Sequence, residues 1–144
     1  MDDDLHAGVA GRLRADGQRY TPNRRAIVEI LEGTERPLTI AEMLGSRRLA
    51  QSSLYRNLAV LESAKVVHRV TSTDEFARYE LAEDLTDHHH HHLICASCGS
   101  VADFTVSPQL ERTLEQAMTT VASATGFRPE HHRLDLVGVC RTCD

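Results

Sequence analysis

Four cysteines and nine histidines hold most of the metal-binding and redox-capable side chains of this 144-residue sequence. The cysteines form two CxxC pairs, Cys95-Ala96-Ser97-Cys98-Gly99 and Cys140-Arg141-Thr142-Cys143. Two such pairs can offer four thiolates to one tetrahedral zinc ion. Four sulfurs fill the shell, so the site would be structural. The competing chemistries are a redox disulfide in one pair, or two disulfides; two matched pairs favour zinc. Seven of the histidines lie in residues 88–92 and 131–132. The run His88 to His92 leads directly into Leu93-Ile94-Cys95. In a strand, alternate side chains face opposite sides. His90 and His92 would then face one way, and His89 and His91 the other. Imidazoles at i and i+2 can hold one ion from one face. The run can therefore serve two sites, each needing partners from elsewhere. His68, Glu80, Asp103, Glu111, Glu115 and His132 are the candidates. An unspecific solvated patch is the alternative, but five histidines beside a CxxC pair point to specific metal binding.

The elements that must position these groups can be read from periodicity and caps. Leu5, Val9 and Leu13 form one helical stripe. Thr21-Pro22 is a cap and first-turn proline opening a second helix that carries Ile27, Ile30 and Leu31. Thr39 can cap a short third helix, Ile40 to Leu44. Ser52 or Ser53 can cap a fourth with Leu54, Leu58 and Leu61 on its apolar face. The period then changes to that of a hairpin, with strands expected over 66–70 and 76–81 and a turn between them. A further helix starts at Ser107-Pro108 and ends near Gly126. Helices followed by a two-stranded hairpin fit a winged helix-turn-helix, although other small α+β folds share the pattern. In that plan the first turn of the fourth helix enters the major groove. Ser52, Ser53, Tyr55 and Arg56 would meet bases and phosphates, with Arg19, Arg24 and Arg25 on the backbone.

Charge divides the chain. Residues 1–78 carry 12 Lys/Arg and 11 Asp/Glu, a net of +1, whereas residues 79–144 carry 4 and 10, a net of −6. A more basic half joined to an acidic, His/Cys-rich half suggests one part that meets a polyanion and one that meets cations. No apolar run approaches the ~20 residues of a membrane span. The start, Met1-Asp2-Asp3-Asp4, lacks a signal-peptide pattern, so a cytoplasmic protein is expected.

These residues resemble the ferric uptake regulator (Fur) family of metal-dependent repressors over nearly the whole chain. The marks are Gly17-Gln18-Arg19-Tyr20-Thr21-Pro22-Asn23-Arg24 and Ser53-Leu54-Tyr55-Arg56-Asn57-Leu58. They continue through His88 to Gly99, Gly126-Phe127, His131-His132-Arg133-Leu134, and Gly138 to Cys143. The resemblance implies an α+β chain: a winged-helix DNA-binding domain over 1–82, a hinge at 83–87, and a small α/β dimerisation and metal-binding domain over 88–144. It implies a cytoplasmic homodimer that binds AT-rich palindromic operator DNA and represses metal-homeostasis genes. Carried over by position, Cys95, Cys98, Cys140 and Cys143 match the structural zinc ligands. Glu80, His90 and His92 match the sensing site, with Asp103 as a residue that some members add. His89, His91 and His132 match an additional site completed by a helix carboxylate, for which Glu111 is favoured over Glu115.

The resemblance also bears on the sensed metal. Most branches take a histidine from just before the third helix, where this chain has Arg36-Pro37-Leu38-Thr39. The zinc-uptake branch takes a ligand from the first wing strand, and His68 stands there. That branch usually offers a cysteine near the second wing strand, where this chain has Ala82, and Glu80 serves instead. Zinc sensing through His68, Glu80, His90 and His92 is therefore expected, with Fe(II) or Mn(II) as the alternative if Asp103 joins. The peroxide-sensing branch ranks last, because it tends to place Asp where Glu80 is. Two other classes remain. A metal hydrolase would need a substrate cleft and a general base, for which the chain is short. A zinc-storage or thiol-redox protein would not need Tyr55-Arg56 on a capped helix.

Overall fold

The computed structural model describes residues 3–46, 48–86 and 89–144. Asp87 and His88, the end of the expected hinge and the first histidine of the run, lie outside them. Helix α1 (Asp3–Ala15) buries Leu5, Val9 and Leu13, with acidic residues in its first turn and Arg12 and Arg14 in its last, as the helix dipole favours. In α2 (Pro22–Glu32) the Thr21 hydroxyl accepts the Arg24 amide, and Pro22 fills the first turn. A two-residue strand β1 (Leu38–Thr39) precedes α3 (Ile40–Leu44), which opens on a reciprocal box of Thr39 and Glu42.

The fourth helix, α4 (Gln51–Ser63), starts earlier than the serines suggested. Ala50 is the N-cap, in extended conformation, and no side chain caps the helix. Ser52 and Ser53 lie inside the first turn, and the Ser53 hydroxyl donates back to the Ala50 carbonyl at 3.1 Å. The helix leaves through Lys65 at φ +62°. The hairpin strands are shorter than expected, β2 (Val67–Val70) and β3 (Arg78–Leu81). Asp74 is the reason: its carboxylate accepts the Phe76 amide and both terminal nitrogens of Arg78, curling residues that would otherwise extend β3. With β1 added, the sheet is antiparallel in the order β1-β3-β2.

The segment expected as a hinge contains a one-turn helix, α5 (Glu83–Thr86). Asp84 pairs with Arg12 of α1 at 2.8 Å, and Leu85 packs against the N-terminal core beside Gly8. A second sheet follows, β4 (His91–Cys95), β5 (Val101–Phe104) and β6 (Asp135–Gly138), in the order β5-β4-β6. β4 runs antiparallel to β5 and parallel to β6. Between them lies α6 (Pro108–Thr125), capped by Ser107 and closed by Gly126 at φ 70°, as its sequence predicts.

One apolar core joins α1 to α4 with the first sheet, including Leu13, Ile27, Met43, Leu54 and Leu61. The second cluster among the described residues is only Val70, Ile94 and Val101. It lies between the wing and the second sheet.

Candidate metal centres and nucleic-acid interface

Strand register places the first set of ligands. In the wing, His68 stands opposite Glu80; in the second sheet, His92 stands opposite Asp103. Such cross-strand neighbours are close enough for side chains to meet. The two pairs face each other across the junction of the halves. Glu80 is the centre: its Oε1 lies 2.8 Å from both His68 Nε2 and His92 Nε2, and its Oε2 lies 3.0 Å from His90 Nε2. Asp103 completes the group at 3.5 Å from His90 and 3.6 Å from His92. Burial opposes ionisation of Glu80, but hydrogen bonds from His68, His90 and His92 override it and hold the carboxyl far below the usual range. The same contact lifts His90 to about 8. Burial, seconded by the Glu80 charge, pushes Asp103 up to about 6.

Glu80, His90, His92 and Asp103 offer ligand atoms that all lie within 4.8 Å of one another. His68 is not in that group. Its side chain is 43% exposed and touches the centre through the Glu80 oxygen that it shares with His92. It is placed as an outer donor from the wing.

The opposite face of the run builds a second group, His89, His91, Glu111 and His132, again within 4.8 Å. Glu111, in the opening turn of α6, reaches His91 at 2.5 Å and His89 at 3.1 Å. His89 and His132 bring their Nε2 atoms to 3.1 Å. Glu115, one turn further along α6, is outside the group. Glu83 takes part in a way that sequence reading missed. Its carboxylate lies 2.7 Å from His89 Nδ1 and accepts the His90 amide at 3.3 Å. A carboxylate on Nδ1 leaves Nε2 as the ligand atom. No spacing rule points to Glu83, because α5 brings it there.

The cysteines form the third group. All four are free thiols, and their sulfurs lie within 4.8 Å of one another. Cys98 Sγ and Cys140 Sγ are 3.8 Å apart. That exceeds a disulfide bond of about 2.05 Å and suits the edge of a zinc tetrahedron with sulfurs about 2.3 Å from the metal. Amides of Cys98 and Cys140 donate to Cys95 Sγ at 3.4 and 3.3 Å and pull that thiol down to about 6. Amides turned toward sulfur favour the thiolate that a metal takes.

Each group fits a cation by its donor chemistry. In the second histidine group, Glu111 Oε2 meets His89 and His132 as ion-pair contacts at 3.1 and 3.8 Å. In the group around Glu80, the buried Asp103 Oδ1 has no hydrogen-bond partner and lies 3.6 Å from His92. Such an oxygen costs free energy unless it is paired or coordinates a metal.

In the first turns of α4, Tyr55 is 54% exposed, with Ser52 and Arg56 also exposed and Ser53 half-buried. Arg19 is exposed before α2. Arg24 differs from its expected role as a backbone contact. It bonds Asn57 Oδ1 at 2.9 Å, Gln18 Oε1 at 3.2 Å and the Arg19 carbonyl at 2.7 Å. Its guanidinium ties α2 and the preceding loop to the buried side of α4. Among the described residues, no helix is long and apolar enough to cross a membrane.

A model of the "Ferric uptake regulator family" matches residues 15–137. The chain is 32% identical over 136 residues to the peroxide operon regulator of Bacillus subtilis (strain 168), covering 91% of this chain and 88% of that one. It is similar to a solved zinc-bound manganese uptake regulator, with 31% identity, a TM-score of 0.63, and coverage of 96% and 99%. The Helicobacter pylori ferric uptake regulator, described as having three functional metal-binding sites, shares the fold with a TM-score of 0.71 at 23% identity, covering 99% and 97%. A winged-helix half, a zinc-type cysteine cluster and a family match over most of the chain lead to one conclusion: this protein belongs to the ferric uptake regulator family, and is a metal-responsive transcriptional repressor.

Proposed function

We propose that this repressor senses zinc at the junction of its two halves. One observation carries the reading: Glu80, on a wing strand, is gripped both by His68 of the wing and by His90 and His92 of the second sheet. Residues 1–82 act as the DNA-binding domain, 83–87 as the hinge, and 88–144 as the dimerisation and metal-binding domain. A bound divalent cation supplies the positive charge that imidazole protons otherwise provide around Glu80. His68 and Glu80 then hold the wing at a fixed angle to His90, His92 and Asp103. Without that grip the halves sample open arrangements, and metal selects the closed one. A preference of ~2.7 kcal/mol for the closed form is enough for a ~100-fold gain in DNA affinity.

The exposed apolar residues Leu136, Val137 and Val139 on and after β6, with Met118 and Val121 on α6, suit a homodimer interface. Two α4 helices in such a dimer present Ser52, Ser53, Tyr55 and Arg56 to successive major-groove faces of a palindromic, AT-rich operator, with Arg19 on phosphate. Cys95, Cys98, Cys140 and Cys143 hold structural zinc. His89, His91, Glu111 and His132 hold a further ion. The work is cytoplasmic.

A second reading, Fe(II) or Mn(II) sensing, is favoured by Asp103. It belongs to the mutually close donors, whereas His68 stands outside them, and a harder oxygen set suits those ions. Operator-DNA fluorescence anisotropy against buffered Zn(II), Fe(II) and Mn(II), run anaerobically, separates the two. Switching by far less free Zn(II) than Fe(II) or Mn(II), lost in His68→Ala, supports zinc. Switching by Fe(II) or Mn(II) with His68→Ala unaffected overturns it. His90→Ala should abolish the metal response and leave a folded dimer; loss of folding would remove His90 from a purely regulatory role.

A further inference from the structure

We propose that the wing loop Ser72–Asp74 is a latch that seats on the first cysteine knuckle and favours the closed arrangement of the halves. The knuckle then helps to set the regulatory angle as well as to hold the fold. The inference rests on the reading that the closed form binds DNA.

Three consecutive side chains make the contact. The Ser72 hydroxyl donates to the Gly99 carbonyl at 2.6 Å. The Thr73 hydroxyl donates to the Cys95 carbonyl at 2.8 Å. The Asp74 carboxylate lies over Gly99, where a Cβ would overlap it. Gly99 has φ +77°, so glycine serves both the turn and the approach. Beneath the loop, Val70 of the wing packs with Ile94 and Val101 of the second sheet.

Both partners are shaped in advance. On the wing side, Arg78 bonds both Asp74 oxygens at 2.7 and 2.8 Å, and the Phe76 amide donates to Asp74 at 3.2 Å. On the knuckle side, the Cys95 carbonyl already accepts the Gly99 amide at 2.9 Å, and Cys95 Sγ accepts the Cys98 amide. The carbonyls that receive Ser72 and Thr73 therefore belong to the turn that aims Cys95 and Cys98 at their metal. The latch and the Glu80 centre both join the wing to the second sheet. Each closes more readily when the other is closed.

Removing two neutral hydrogen bonds should shift the open–closed balance about tenfold. The shift appears where metal is limiting and vanishes where metal saturates. The test is the full-length Ser72→Ala/Thr73→Val double variant. Its readouts are operator anisotropy against buffered Zn(II), thiol-bound zinc content, and amide hydrogen exchange without DNA. The metal midpoint should rise about tenfold, while operator affinity at saturating metal stays within about threefold. Zinc on the cysteines should be retained, and residues 70–76 should exchange faster. A midpoint within about twofold of the unaltered protein overturns the latch. If the double variant loses its cysteine-bound zinc, Ser72→Ala alone decides, with an expected rise of about threefold and no rise overturning the proposal. If the unaltered protein shows no metal-dependent operator binding, the regulatory reading fails. The latch contact is then judged by exchange alone, and unchanged protection of residues 70–76 removes it.

Discussion

Helices α1 to α4 and the wing close around side chains such as Leu13, Met43 and Leu61, which are fully buried. Beyond residue 83 the pattern reverses. No residue of α6 is buried, β6 is exposed along its length, and the buried groups of β4 include His91 and His92. The first half is held by apolar area removed from water. The second has too little of it, and its close contacts are between groups that want a cation. A segment of that size without its own core needs a metal, a partner or both.

The largest expected effect comes from the weaker half. Cys95→Ser should unfold β4–β6 and leave the winged helix intact, because structural zinc can supply on the order of 10 kcal/mol of folding free energy. Heteronuclear NMR would show dispersed signals only from residues before about 83; a fully dispersed, zinc-free variant would contradict the assignment. In the first half, Leu58→Ala should cost about 2–5 kcal/mol in chemical denaturation and leave cysteine-bound zinc at its normal content. Zinc loss there would mean that the halves do not fold separately. Leu136→Glu, on the uncovered face, should weaken a dimer by about 2 kcal/mol or more if this is its interface, read by sedimentation. An unchanged dimer would move the interface elsewhere.

The smallest effect is on pH. Glu80 is held far below its ordinary value of 4.5, so its stabilisation is present above that pH and lost as pH falls toward the folded value. His90 is raised from 6.5 to about 8, so its stabilisation is complete below 6.5 and lost as pH rises through 8. Asp103, raised from 3.8 to about 6, is favoured while protonated, so its contribution is lost earlier, as pH rises from about 3.8 through 6. The metal-free junction should therefore loosen as pH rises from about 6.5 through 8, by about 2 kcal/mol for His90. Metal binding should tighten over the same range as imidazole protons leave. Amide exchange across β3 and β4, with and without metal, reads both slopes; parallel slopes would separate the junction from the metal site.

Local chemistry made much of this legible. Thr21-Pro22, Thr39 and Ser107-Pro108 each marked a helix start, because a hydroxyl cap, and a proline's fixed φ where one follows, act within one turn; the Glu42 half of the Thr39 box appeared only in the structure. The histidine alternation sorted His90 and His92 from His89 and His91 into the same two groups that the structure brings together, although β4 begins only at His91 and the strand expected through His89 and His90 is not formed. The readings that changed depend on contacts distant in sequence. Ser52 and Ser53 looked like caps, but the N-cap is Ala50, two and three residues ahead of them. Arg24 looked free for DNA until Asn57, 33 residues later, took its Nε donor and Gln18 and the Arg19 carbonyl took Nη1. Glu83 and the Ser72–Asp74 loop have no motif at all, since their partners are brought by α5 and by the knuckle. His68 was placed beside Glu80 by wing register, but its distance from the remaining donors was set by the docking of one sheet on the other.

Because the histidines that feed the two histidine groups alternate along one short stretch of backbone, those groups share a single reading frame. Deleting one residue within 89–92 would not simply remove a ligand; with β4 held in register it would move every imidazole upstream of the cut to the other face, the next histidine of the five-residue run taking its place, and so would act on both centres at once. Substitutions can retune one centre while the other stays as it is, but changes of length cannot. Evolutionary drift in metal preference should therefore run through point changes at His68, Glu80, Asp103 and Glu111, with the spacing of β4 kept fixed.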